Sequence, residues 1–153
     1  MRRAGLLLAL GLAPAALAGQ EPRGVEAGVL GMVVAGRRDF AGGGGTVGWR
    51  PGGGLRVQLA ALAGERSGTA GRGELVGHLL LEPARRDGLG FYAIGGVAGT
   101  VAGRTRGDLV LGVGMETRPG GRLGLAVEAG VGGGVRVAIG IRRHWLHRPG
   151  RPR

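Results

Sequence analysis

Leu55-Arg56-Val57-Gln58-Leu59-Ala60-Ala61 places apolar side chains at odd positions and the polar pair Arg56 and Gln58 at even ones. A repeat of two residues is that of a β-strand with one apolar and one polar face, whereas a helix would repeat every three to four. The alternation returns on both sides of this stretch. In 72–82, Leu75, Gly77, Leu79 and Leu81 oppose Glu74, His78 and Glu82. Further on, Leu123, Leu125 and Val127 alternate with Arg122, Gly124 and Glu128. Val135, Val137, Ile139 and Ile141 then alternate with Arg136 and Arg142.

Eight such segments are predicted, at 24–34, 43–50, 55–66, 72–82, 89–101, 108–118, 122–130 and 134–145. Pro51-Gly52-Gly53, residues 84–88 and Pro119-Gly120-Gly121 are compact turn signals. The intervening connections, near 35–42, 67–71 and 102–107, read as looser, with Gly132-Gly133 a tight fourth. Hairpins centred on residues 120, 132 and 69 would set Gly112 opposite Glu128, Glu128 opposite Arg136 and Arg56 opposite Glu82. Each keeps even positions facing even positions, so the polar set stays on one side. An eight-stranded antiparallel up-and-down transmembrane β-barrel satisfies this pattern, with strands of about 10 residues crossing the apolar band.

Composition agrees with an exported all-β chain of one domain. The 153 residues contain 38 glycines, no cysteine and only 7 prolines, which excludes collagen and a disulfide scaffold. All 21 basic residues are arginine, against 10 acids, for a net charge of +11. Met1-Arg2-Arg3, the apolar run 4–12 and Ala16-Leu17-Ala18 follow the order of a secretory signal peptide, cleaved after residue 18. Its removal leaves 19 arginines against 10 acids, a charge of +9. The expected organisation is signal peptide 1–18, barrel 19–145 and basic tail 146–153. An export signal and lipid-facing alternation argue against a nucleic-acid partner.

The stretches Gly112-Val113-Gly114-Met115-Glu116, 122–128 and 135–141 resemble the small eight-stranded outer-membrane barrels of the OmpA/OmpX type. The resemblance spans about residues 24–145. It implies an outer-membrane location, an N-terminus entering from the periplasm, and a last strand read by the barrel-assembly machinery through a terminal aromatic. Trp145 fits that place, although Arg143 stands where the family has an apolar residue and eight residues follow Trp145. Trp49, Phe91 and Trp145 fall at odd positions near the periplasmic ends, as interfacial aromatics would. Phe40 stands alone at the other end.

Even positions assign Arg56, Gln58, Glu74, His78, Glu82, Tyr92, Glu116, Glu128, Arg136 and Arg142 to the interior. Eight strands enclose a space filled by side chains, so these charges must pair. Glu128 with Arg136 is the expected cross-strand pair, and Gly112, Gly114, Gly124 and Gly140 are expected to make room for arginines. The outer loops would carry Arg37, Arg38, Arg66, Arg72, Arg104 and Arg106, suited to the phosphates of outer-membrane lipid. The run Gly42-Gly43-Gly44-Gly45 lacks the Lys-Ser/Thr of a phosphate loop and weakens the second strand beyond what any turn requires.

No catalytic residue is assigned. Ser67 is the one serine, and no histidine lies near it in the expected register. Asp39 and Asp108 lack a partner among His78, His144 and His147. Glu74, His78 and Glu82 share a face but extend over roughly 13 Å, too far for one metal ion. The expectation is therefore a monomeric, cofactor-free outer-membrane barrel that acts structurally or through its loops. A soluble exported barrel holding a small apolar ligand, and a narrow pore, are the alternatives. The outward Leu75, Leu79, Leu81, Val137, Ile139 and Ile141 weigh against the soluble form.

Overall fold

The computed structural model describes residues 23–36, 39–65, 68–102 and 104–147, without the side chains of 104, 146 and 147. The proposed signal peptide and most of the tail lie outside the described residues. Eight strands follow in order: β1 Arg23–Ala35, β2 Phe40–Gly52, β3 Leu55–Glu65, β4 Thr69–Leu80, β5 Leu89–Ala102, β6 Arg104–Thr117, β7 Leu123–Val131 and β8 Val135–His147. Each pairs antiparallel with the next, and β8 closes on β1. Closure leaves no free edge strand, although β6 and β7 pair only over Leu111–Glu116.

Side-chain parity holds around the whole barrel. Among the described residues, the 27 exposed large hydrophobics, from Val25 to Trp145, all carry odd numbers. Every buried hydrophobic, polar or charged residue of the strands carries an even one. The molecule is thus apolar outside and charged inside, the reverse of a water-soluble fold.

Registers depart from expectation by even steps. Gly114, rather than Gly112, faces Glu128; Gly130 faces Arg136; and His78 faces Arg56. A slip of two or four residues leaves every side chain on its expected face, so alternation alone cannot detect it. One consequence is a correction: β4 ends at Leu80, and Glu82 lies exposed in the following turn, paired with Arg85. Pro83 immediately beyond cannot extend the strand pairing.

The connections also reverse the expected asymmetry. At the end away from the termini the strands join through 36–39, 66–68, 103 and 132–134, whereas the longest connection, 81–88, lies on the termini side. β4 and β6 begin earlier than their apolar pattern suggests, because small and polar residues such as Thr69, Gly71 and Thr105 continue the pairing. At 53–54, two glycines with φ of 69° and 70° make the β2–β3 turn, the positive-φ geometry that matches strand twist.

The glycine run belongs to β2. A Cβ on inward-facing Gly44 would collide with the carbonyl oxygen of Ala61 and come within 2.7 Å of the Leu62 Cα, whereas outward Gly43 meets only Leu30 O at 3.4 Å. Its alternate glycines therefore let β3 approach. Phe40 is also corrected: it is 2 % exposed and packs inside with Leu30, Met32, Val34 and Leu62. A second apolar cluster, around Val76, Tyr92, Ile94 and Val110, lies on β4–β6.

This geometry separates two neighbouring glycines. G44A is expected to lower the urea midpoint of the folded barrel, by about 1–3 kcal/mol of overpacking, while G43A leaves it nearly unchanged. Equal midpoints for the two variants would contradict the close approach of β2 and β3.

Candidate functional site

Among the described residues, five arginines and four glutamates are buried inside the barrel. Their order in space alternates in sign: Arg50, Glu26, Arg56, Glu116, Arg142, Glu128, Arg136, Glu74, Arg72. Arg50 pairs with Glu26 and reaches Glu116 at 3.2 Å. Arg56 donates to Glu116 Oε2 at 2.7 Å and to Glu26 Oε2 at 3.3 Å, which closes a four-residue ring. Arg142 links Glu116, at 3.0 Å, to Glu128. Arg136 then bridges Glu128 at 2.8 Å and Glu74 at 2.9 Å, and Arg72 Nε donates to Glu74 Oε1 at 2.9 Å.

An alternating ladder with one more cation than anions must end in cations. Arg50, near the termini end, donates to Pro119 O at 2.7 Å. Arg72, near the opposite end, donates to Gly132 O at 2.9 Å and Thr100 Oγ1 at 3.1 Å. Backbone carbonyl dipoles thus cap both ends of the ladder. An unpaired charge in this space would cost several kcal/mol, so each guanidinium is held by more than one acceptor.

Neutral polar groups brace the middle. Tyr92 Oη donates to Glu128 Oε1 at 3.0 Å and accepts from Arg142 at 3.2 Å. The Arg56 and Arg142 guanidinium groups lie 4.9 and 5.7 Å from the Tyr92 ring centroid. His78 Nδ1 accepts from Arg56 Nε at 3.1 Å, which places the ring proton on Nε2, 3.6 Å from Glu128 Oε1.

The structure brings together Arg56, Glu74, His78, Glu116, Glu128, Arg136 and Arg142 from the expected interior set. Gln58 is buried beside them, its amide nitrogen without a partner among the described residues. Glu82 is excluded, as described above. Glu128 and Arg136 do meet, but diagonally, since Glu128 faces Ala138 across the strands. Arg72, expected in an outer loop, is instead buried on β4 as the last rung. Arg37, Arg38 and Arg66 lie outside the described residues, as does the side chain of Arg104; Arg106 is exposed near the rim.

Glu26, Arg50 and His144 are interior residues that the strand reading passed over. Their even numbers were the available signal. The expected role of four glycines also changes. A Cβ at Gly112 would meet backbone of β7, at Gly114 the Tyr92 ring, at Gly140 Leu30, and at Gly124 Thr117 O at 2.8 Å. They admit neighbouring strands and Tyr92 rather than arginines. Trp49, Phe91 and Trp145 all project outward, and Trp49 and Trp145 flank Val25 across β2, β1 and β8.

No family model matches the chain, and no curated protein matches it. Among solved structures, it is similar to the N-terminal β-barrel domain of Pseudomonas aeruginosa OprF, with a TM-score of 0.60 and 15 % identity. That match covers 82 % of this chain and 100 % of the other. The de novo designed TMB2.3 is similar at a TM-score of 0.55 and 19 % identity, over 82 % and 96 % of the two chains. What the likeness shows is the fold, a closed β-barrel.

Because Glu128 joins two arginines and Tyr92, E128Q is expected to destabilise the folded barrel by about 3–5 kcal/mol, the cost of breaking a buried pair. E82Q, in the exposed turn, is expected to leave it unchanged. Urea titrations followed by heat-modifiable gel migration check this; equal midpoints would contradict the ladder.

Proposed function

We propose that this chain is an outer-membrane β-barrel, filled by its own side chains, which serves structurally and through its rims. The observation that carries this reading is the strict parity of the described strands. Twenty-seven large hydrophobics face outward around the full circumference. Water would contact an apolar area far beyond the few hundred Å² usual for a soluble monomer. Lipid removes that cost, and a closed barrel satisfies its own backbone groups within it.

Trp49, Phe91 and Trp145 suit a membrane–water boundary at the termini end. That end would face the periplasm, and Trp145 would serve as the aromatic read by the assembly machinery. Lipid is the main partner in this reading, with arginines at the far rim meeting its phosphates. A monomer suffices, because closure needs no second copy.

The interior supports a plug rather than a reaction centre. His78 is engaged by Arg56 and faces Glu128, so its ring has no free position for general-base work. The ladder reaches from one end of the barrel to the other. Ions would have to displace rungs to pass.

Fractionation of the native host is expected to recover the protein in outer membranes as a heat-modifiable band. In planar bilayers the purified protein is expected to give no stepwise current. Recovery as a folded soluble monomer would contradict the membrane reading. Stable conductance steps would contradict the filled interior.

A further inference from the structure

The exposed charges divide between the two ends of the barrel. Among the described side chains, Arg23, Arg85, Arg86, Arg118, Arg122 and Arg143 gather at the termini end, against Glu82 and Asp87. Glu82 is already paired with Arg85. At the opposite rim, Asp39, Glu65 and Asp108 stand with Arg106.

One of these arginines, Arg118, lines a groove on the outer surface, and Arg122 and Arg143 flank its Leu123. β5 and β6 pair from end to end, but β6 and β7 pair only from Leu111 with Val131 to Glu116 with Ala126. Beyond that point Pro119 and two glycines turn the chain, and the strands part. Thr117 Oγ1 replaces the missing backbone partner by accepting from Leu125 N at 3.0 Å. The parting opens a groove of about 540 Å³, walled by Leu89, Leu123, Leu125 and Ile141, with Thr117 and Arg118 at its termini end.

Arg118 holds the left-handed backbone, at φ 50°. It is the one non-glycine residue with positive φ among the described residues. Arg122 adjoins Leu123, and Arg143 pairs across the strands with Leu123. The Arg143 guanidinium lies 5.2 Å from the Trp145 ring centroid, at the level of the aromatic girdle. Apolar walls thus lead up to a cluster of cations at the depth where headgroups meet the barrel.

We propose that this groove is a binding site for one anionic phospholipid of the leaflet at the termini end. An acyl chain lies along Leu89, Leu123, Leu125 and Ile141, and the headgroup phosphate sits among Arg118, Arg122 and Arg143. Charge complementarity selects the occupant: three cations against one nearby carboxylate, Asp87 beside Gly88, leave a net positive site that fits a phosphodiester with a net negative headgroup better than a zwitterion. The site rests on the membrane reading above and adds a lipid class and a position to it. It lies at the opposite end from the loop arginines assigned to phosphate by sequence.

Trp145 reports on the site. W49F leaves it as the one tryptophan, since the chain has two. This variant is reconstituted into phosphatidylcholine vesicles with brominated phosphatidylglycerol or, at the same mole fraction, brominated phosphatidylcholine. Quenching is expected to show at least about fivefold local enrichment of the anionic lipid, the effect of one arginine near a charged surface. R118Q/R143Q in that background is expected to bring the enrichment close to parity, while R23Q, whose side chain lies against Gly52 at the β2–β3 turn, preserves it. Heat-modifiable migration verifies that each variant is folded. Equal quenching by the two lipids, or a preference that survives R118Q/R143Q, would overturn the site. So would loss of preference in R23Q, which would mean diffuse attraction to the whole end. Inorganic phosphate added at constant ionic strength is expected to change nothing; abolition of the preference would assign the cations to a free anion and overturn the lipid. Absence of quenching by either lipid would instead defeat the membrane reading itself.

Discussion

Charges buried in a narrow barrel must be neutralised by neighbours, and this requirement organises the interior. Four glutamates cannot satisfy five arginines by simple pairing. The solution is a ladder in which every carboxylate is shared between arginines, with carbonyl oxygens of Pro119 and Gly132 at its two ends. Its rungs come from β1, β2, β3, β4, β6, β7 and β8, so the ladder ties nearly the whole circumference together. β5 joins through Tyr92. Arginine suits this role because its planar fork spans two acceptors and stays charged when buried.

The exterior follows from the same alternation. With even positions committed to the ladder and its apolar neighbours, odd positions form the apolar outer face. Glycine then adjusts the spacing, as at Gly44, where β3 comes too close for any side chain, or Gly114, where the Tyr92 ring needs the space. The one place where pairing is cut short, between β6 and β7, leaves the groove assigned above to an anionic lipid. Interior order and the apolar exterior are thus two faces of one strand pattern.

Much of this was legible in the sequence. The eight segments and their faces follow from alternation, because a period of two is insensitive to where a strand starts. Register was less legible for that reason: shifts of two or four residues preserve parity, and they moved Glu128, Arg56 and Glu82 relative to their expected partners. Arg72 read as rim because the strand was expected to begin there, yet β4 already starts at Thr69. Glu26, Arg50 and His144 sit close to strand ends, where turn signals such as Pro51 masked their parity. The Gly42–Gly45 run, which read as a flaw in a strand, is explained only by the approach of β3. The groove had no sequence signature, since it arises from how far two strands stay paired.

The central claim is that the interior charges act as one connected ladder. A double-mutant cycle on Arg56 and Glu116, whose 2.7 Å contact lies within it, measures this directly. R56Q, E116Q and the double variant would be unfolded by urea from the same lipid vesicles. The account expects each single variant to be destabilised and the pair to be coupled by more than about 1 kcal/mol, as contacting members of one network are. Strict additivity of the two substitutions would contradict it.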